Sequence, residues 1–207
     1  VDVFKNMQLS LYDSKTQKIF KIPRKNETLK LYVCGITQYD SAHLGHAFTY
    51  LTFDSIIRVL NFIGQKTTYA QNVTDLDDPL FERARSTNKS WRQIVNEQVQ
   101  IYRNDMTALN VIPPDFFVGV EENIDLVIRE ISDIKDFAYQ LNDKTYFKKQ
   151  KNFNSSLVSN LSNEDLIKIA AERGCDISTP GKINPLDPIL WKDSAEDEPK
   201  WQTNFGT

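Results

Sequence analysis

The sequence predicts an α/β fold built on a parallel sheet, and three observations carry that expectation. Leu29 to Gly35 is a compact apolar run closed by a glycine, the pattern of a buried strand. Leu44, Ala47, Phe48, Leu51, Ile56, Leu60 and Ile63 then recur at helical spacing up to Gly64, a natural stop. Lys66 to Thr74 is rich in β-branched and aromatic residues and reads as a second strand. Strand, helix, strand is a βαβ unit, which requires the two strands to run parallel.

The remaining elements follow from local signals. Before the first buried strand, Met7 to Tyr12 alternates, a polar turn covers Asp13 to Gln17, and Ile19 to Ile22 precedes Pro23, predicting a small hairpin or two short edge strands. Asp77 to Arg85 predicts a short helix with Pro79 in its first turn, where a missing N–H costs nothing. Trp91 to Leu109 carries a longer amphipathic helix that ends at the Pro113-Pro114 break, and Glu121 to Tyr139 is expected to be another helix. Asn142-Asp143-Lys144 sits between short apolar runs and predicts a hairpin turn. Lys148 to Asn163 is polar and reads as loop, and Ser162 to Gly174 has a cap at one end and a stop at the other. The stretch with Pro180, Pro185, Pro188 and Pro199 is expected to be extended or irregular.

Composition bounds the function. The 207 residues, 40% hydrophobic, suffice for a real core without staples. Basic and acidic residues, 25 against 28, leave a net charge of -3, so bulk attraction to nucleic acid or an anionic membrane is not supported. No apolar run reaches the length of a membrane span, and the N-terminus does not read as a signal peptide. Cys34 and Cys175, far apart, argue against a disulfide framework and lead us to expect a cytoplasmic protein. The chain opens on Val1 and stops at Phe205-Gly206-Thr207 in a loop-like stretch, so it reads as a piece of a longer protein.

The chemistry concentrates between Cys34 and Asp54. A strand ends at Cys34-Gly35, and His43-Leu44-Gly45-His46 opens a helix. A helix N-terminus leaves amide donors unpaired and carries partial positive charge, so it favours phosphates. Imidazoles at that point add donors, and Gly45 between them allows close approach to the backbone. The carboxyl end of a parallel strand is also where open α/β sheets bind ligands. The plain alternative is a pair of capping or surface histidines. They are the chain's only two, and both fall in one turn, which favours the functional reading.

These residues carry a family resemblance. Leu31 to Gly35, Tyr39-Asp40, His43 to His46 and Asn72-Val73-Thr74-Asp75 resemble the cysteinyl-tRNA synthetase lineage of class I aminoacyl-tRNA synthetases. Ile36 after Cys-Gly, the run from Gln71 to Ala84, Glu172-Arg173-Gly174-Cys175-Asp176 and Asn184 to Pro188 are similar to its mycothiol ligase branch. The resemblance covers nearly the whole chain. It implies a Rossmann-like catalytic domain of the class I aminoacyl-tRNA synthetase (HUP) type with an inserted helical and hairpin segment. Residues 1–88 would form the first part of the ATP-binding domain, and residues 89–207 the insertion and the start of the second half.

The resemblance also implies an activity: ATP-dependent activation of L-cysteine as cysteinyl-adenylate, then transfer to the amine of glucosaminyl-inositol. Transfer to tRNA is the alternative within the lineage, and an inactive nucleotide-binding fragment the alternative outside it. His43 and His46 become the catalytic residues. Cys34, Gly35, Ile36, Thr37, Gly45, Thr49, Asn72, Val73 and Thr74 become the pocket for ATP and cysteinyl-adenylate. Cys34 is implied as a zinc ligand, with the remaining ligands beyond the end of this chain; its plain alternative is a small buried hydrophobe. Magnesium is expected to travel with ATP. A monomer is expected, and this piece alone is expected to be inactive, because a second lysine-rich phosphate-binding loop is absent from it.

Other features have plainer readings. Asp75, Asp77 and Asp78 are expected to be helix caps and first-turn acids. Glu172-Arg173-Gly174 either shapes the acceptor side or simply ends a surface helix. Trp91, Tyr102, Phe116 and Phe117 are expected in the core, and Lys148, Lys149 and Lys151 on a solvated loop.

Overall fold

The computed structural model describes residues 7–23, 27–37, 42–149 and 156–207. Tyr39, Asp40 and Lys151, singled out above, lie outside the described residues. The chain divides into two compact units, Val1–Leu11 with Lys21–Ile124, and Tyr12–Phe20 with Asp125–Thr207.

Strands β1 (Ser10–Asp13) and β2 (Lys18–Lys21) form the expected hairpin. In the first unit, β3 (Leu29–Val33), helix α1 (Leu44–Phe62) and β4 (Thr67–Val73) make the βαβ unit. β3 and β4 are parallel, with Leu31 opposite Tyr69 and Val33 opposite Gln71. A third parallel strand, β5 (Phe116–Gly119), extends the sheet in the order β3-β4-β5. Sequence patterning gave no strand there, because four residues are too few to show a period. The partner strand supplies the information: Ala70 aligns with Phe116 and Val73 with Gly119. Asp115 locks its start, its Oδ2 accepting from the Tyr69 N–H at 2.8 Å while its own N–H donates to Tyr69 O at 2.8 Å.

Side chains on a strand alternate between faces. Val33 and Tyr69 are buried with Ile36, and Tyr50, Ile57, Tyr102 and Met106 pack in the same core; Val73 is buried as well. Tyr32, two residues before Cys34, is exposed. The helical face of α1 needs a correction. Tyr50, Asp54, Ile57 and Leu60 are its buried residues, whereas Leu44 and Phe48, expected on the packed face, are 88% and 75% exposed. The helix is apolar on two sides, and the sheet takes the one that carries Tyr50 and Ile57. Asp54 is buried there because Arg58 pairs with it at 2.7 Å and the Ile112 N–H donates to it at 2.9 Å.

Helix α2 (Asp78–Thr87) is capped by Asp77 and carries Pro79 in its first turn, and it stops at Asn88 in the left-handed region. Helix α3 (Trp91–Ala108) begins at Ser90, whose hydroxyl accepts from the Gln93 N–H. Tyr102 is buried as expected, but Phe116 is 56% exposed: it lies on the opposite side of β5 from Phe117, which stacks on Tyr102.

The long helix expected over Glu121 to Tyr139 is not formed. A short 3-10 turn (Glu121–Asn123) leads into α4 (Ile124–Asp133), a second 3-10 turn (Lys135–Phe137) follows, and Ala138–Leu141 is strand β6. Pairing decides this. β6 runs antiparallel to β7 (Lys144–Phe147) through a turn with Asn142 at positive φ, so ladder hydrogen bonds outweigh helical propensity. β8 (Ile189–Lys192), within the stretch read as extended or irregular, adds to the other side of β7. A four-residue helix, α5 (Ser156–Ser159), occurs inside the stretch read as loop. Helix α6 (Asn163–Glu172) is capped by Ser162 and is followed by Gly174 at φ +75°, as its sequence signals require.

Candidate active site

Two clusters of predicted residues form in the first unit, and one hydrogen bond ties them. The first is the start of α1. His43 is its N-cap; its Nδ1 accepts from the Gly45 N–H at 3.1 Å, and the His46 Nδ1 accepts from the His43 N–H at 3.2 Å. This is a capping box in which imidazoles take the places usually held by hydroxyl and carboxylate. The rings stack with centroids 3.9 Å apart. A backbone N–H can only donate, so each accepting Nδ1 carries no proton, and each neutral ring bears its hydrogen on Nε2. The capping reading and the ligand-binding reading are therefore compatible: one nitrogen of each ring holds the helix start, and the other keeps a donor. Burial, and then the neighbouring His43 ring, push the His46 imidazole below its ordinary value, which favours the neutral form.

Gly45 is required by this arrangement rather than by ligand approach alone. A Cβ there would stand 2.8 Å from His43 Cε1, so any side chain would lift the ring off the helix start. Thr49 is exposed, and its hydroxyl donates to the Gly45 carbonyl at 3.1 Å.

The second cluster lies where β3 and β4 end. The backbones approach so closely that a Cβ on Gly35 would fall 1.6 Å from the Asn72 carbonyl oxygen. The Gly35 N–H donates to Asn72 Oδ1 at 2.7 Å, and the Tyr32 hydroxyl donates to the same oxygen at 2.8 Å. Asn72 Nδ2 donates to Thr74 Oγ1 at 3.3 Å. Thr37 and Thr74 form an isolated parallel bridge just past the strands. Cys34 is exposed, not the buried hydrophobe of its plain alternative. Ile36 and Val73 are buried, so at these two positions only the backbone can meet a ligand. The Tyr50 hydroxyl, on α1, donates to the Cys34 carbonyl at 3.2 Å and joins the helix start to the strand end.

Tyr32 was not singled out from the sequence. Alternation was the available signal, since residues 32 and 34 of one strand share a face. Partial desolvation of its oxygen, followed by the neighbouring Cys34, raises the Tyr32 hydroxyl above its ordinary value, so it remains a protonated donor. Asp75 or Asp77 was expected to cap α2, and Asp77 is that cap; Asp75 Oδ1 accepts instead from the N–H groups of Val120 and Glu121 at 2.7 and 3.2 Å. Gly119 makes room for it, because a Cβ there would lie 2.3 Å from Asp75 Oδ2.

The second unit contains carboxylates of a different kind. Asp176 Oδ2 accepts from the hydroxyls of Tyr146 (2.8 Å) and Thr179 (2.6 Å), and the Thr179 bond, then that of Tyr146, holds its carboxyl at about 2. Asp187 accepts from the Tyr139 hydroxyl and from the N–H groups of Lys149 and Asn184. Glu172 and Arg173 are exposed at the end of α6.

Among the described residues, no three or more His, Cys, Asp or Glu side chains converge as a metal site. Cys34 offers one thiol, so the donors among the described residues do not by themselves build a zinc centre. A cavity of about 520 Å³ also occurs in the first unit, between α3 and the sheet. Its wall includes Tyr69, Gln71 and Tyr102, whose polar atoms already bond one another. None of the predicted site residues lines it.

A parallel sheet with a phosphate-suited helix start at its carboxyl end defines a nucleotide-binding α/β domain. Residues 20–207 match the family described as tRNA synthetases class I (C) catalytic domain, and the chain belongs to that family. It is 45% identical over 206 residues to the L-cysteine:1D-myo-inositol 2-amino-2-deoxy-alpha-D-glucopyranoside ligase of Corynebacterium aurimucosum, covering 96% of this chain and 49% of that protein. It is 42% identical over 202 residues to the enzyme of the same name from Thermomonospora curvata, covering 97% and 49%. The chain thus spans about half the length of these curated relatives. Among solved structures, the methionyl-tRNA synthetase of Mycobacterium tuberculosis in complex with methionyl-adenylate matches with a TM-score of 0.50 at 12% identity, over 74% of this chain and 37% of that one. This likeness shows the fold alone.

Proposed function

We propose that this chain supplies the cysteine-activating half of an AMP-forming ligase that joins L-cysteine to the amine of glucosaminyl-inositol, a mycothiol ligase. The reading rests on the name shared by relatives at 42–45% identity, together with one observation at the site. That observation is the pair of imidazoles that cap α1 through Nδ1 and keep their Nε2 hydrogens for a ligand.

The reaction has two displacements. Cysteine's carboxylate attacks the α-phosphorus of ATP and pyrophosphate leaves; the amine then attacks the acyl carbon of cysteinyl-adenylate and AMP leaves. No covalent enzyme intermediate is needed, so catalysis is positioning plus stabilisation of charge on phosphate oxygens. His43 and His46 donate to those oxygens through Nε2–H, assisted by the amides at the start of α1. Gly35, Thr37, Asn72 and Thr74 hold the adenylate at the strand ends, with Ile36 and Val73 contributing backbone, and Gly45 and Thr49 shaping the helix start. Magnesium, when bound with ATP, would supply charge neutralisation on the phosphates. Cys34 would be one zinc ligand in this reading, with the remaining ligands supplied from outside the described residues. The protein is read as a cytoplasmic monomer.

Cysteinyl-tRNA synthetase shares the first displacement and is the second reading, favoured by the family's own description. The full-length protein, given ATP and cysteine, distinguishes the two. AMP release that depends on glucosaminyl-inositol supports the ligase, and release that depends on tRNA overturns it. The 207-residue chain alone is expected to give no ATP–pyrophosphate exchange.

A further inference from the structure

The carboxamide of Asn72 has a fixed orientation. The Gly35 N–H can only donate, so the atom it meets at 2.7 Å must be Oδ1 and not Nδ2. The Tyr32 hydroxyl takes the second acceptor position of that oxygen at 2.8 Å. Both lone pairs are then used. On the other side, Nδ2 has two hydrogens, and Thr74 Oγ1 takes one of them at 3.3 Å. What Asn72 can still offer is a single N–H donor.

We propose that Tyr32 is a positioning residue for the activation step, holding Asn72 so that it meets the adenylate as a donor to an acceptor oxygen. The inference rests on the ligase reading and deepens it. It excludes one pairing that residue type alone allows, in which the Asn72 carbonyl receives the ammonium of cysteine. That oxygen is saturated from within the protein. The ligand atom opposite Asn72 is therefore an oxygen of the phosphoryl ester, the ribose or the acyl group. In this proposal Tyr32 acts on the ligand through Asn72. Its own placement follows from β3, where it stands one residue before Val33 and on the opposite, exposed side.

The test uses the full-length protein, a non-hydrolysable cysteinyl-adenylate analogue as the binding probe, and ATP–pyrophosphate exchange. Tyr32→Phe removes one hydroxyl and leaves the ring, so it should weaken analogue binding and slow exchange by roughly fivefold to tenfold. Its unfolding midpoint should stay close to that of the parent. Asn72→Asp keeps the acceptor for Gly35 and Tyr32 but deletes the donor and adds negative charge, and should cost roughly 100-fold or more in analogue binding. In the Asn72→Ala background, Tyr32→Phe should cost nothing further, because its route is gone. Losses that simply add in the double variant, or an Asn72→Asp protein that binds the analogue as well as the parent, overturn the proposal. If Asn72→Ala does not fold, unchanged analogue binding by Tyr32→Phe overturns it alone. A parent protein that shows no cysteine-dependent exchange contradicts the ligase reading itself, and is distinguished from these outcomes because no variant is involved.

Discussion

The start of α1 and the tyrosine–aspartate pairs of the second unit are both dense in polar side chains, yet they use their hydrogen bonds in opposite ways. In the second unit, Tyr146 and Tyr139 stack at 5.5 Å, and each hydroxyl donates to a carboxylate that also takes neighbouring donors. Asp176 is further met by the Thr179 N–H, and Lys182 bonds the Asp176 carbonyl. Polar capacity there is spent inside the fold. At α1, His43 and His46 spend one nitrogen each on the helix and keep the other. The difference separates groups that hold a structure from groups that can also hold a ligand. Perturbation alone does not make this distinction: Asp176 is held at about 2, well below its ordinary value, and it belongs to the framework.

The largest effect that sharpens this contrast comes from Gly35→Ala. With a Cβ only 1.6 Å from the Asn72 carbonyl oxygen, the ends of β3 and β4 must separate, and we expect more than about 3 kcal/mol lost in denaturant unfolding. Next is His46→Ala, which should lower kcat for adenylation in the full-length protein by roughly 100-fold. Its cost in stability should be only about 1 kcal/mol, the value of a cap. A variant that loses activity only in proportion to its folded fraction would make the histidines plain caps. Tyr146→Phe should show the reverse pattern, with a thermal midpoint lower by roughly 3 °C and cysteine activation unchanged below the transition.

The smallest effect is a difference in acid response. His46 has a folded value below the ordinary 6.5, so the neutral ring is favoured by folding. Its contribution is present above 6.5 and is lost as pH falls through the lower folded value, when Nδ1 takes a proton and ceases to accept from His43. Asp176 is also depressed, and its contribution is lost only as pH falls through about 2. Hydrogen exchange during acidification should therefore release the His43 amide, held by His46, well before that of Thr179. Simultaneous release would erase the distinction between the two regions.

The βαβ core was legible because each of its parts is long enough to show a period: β4 alternates over seven residues and α1 runs for nineteen. The caps at Asp77 and Ser162 were legible because they act locally, on amides one to three residues away. What could not be read depends on partners distant in sequence. β5 is specified by Tyr69 and Ala70, β6 by its return strand, and the buried side of α1 by the sheet. At the site, the histidines could be chosen by residue type and spacing. The roles of Gly35 and Tyr32 depend on a carboxamide some forty positions away, which local pattern does not encode.

The central claim, that the two imidazoles turn Nε2–H donors toward a nucleotide's phosphates, can be tested by nitrogen NMR of histidine-labelled full-length protein, with His43→Gln and His46→Gln identifying the resonances. The account predicts Nε2–H tautomers for both rings at neutral pH and a shift of both Nε2 signals when ATP and magnesium are added. Nδ1–H tautomers, or Nε2 signals that stay unmoved while ATP binds, would contradict it.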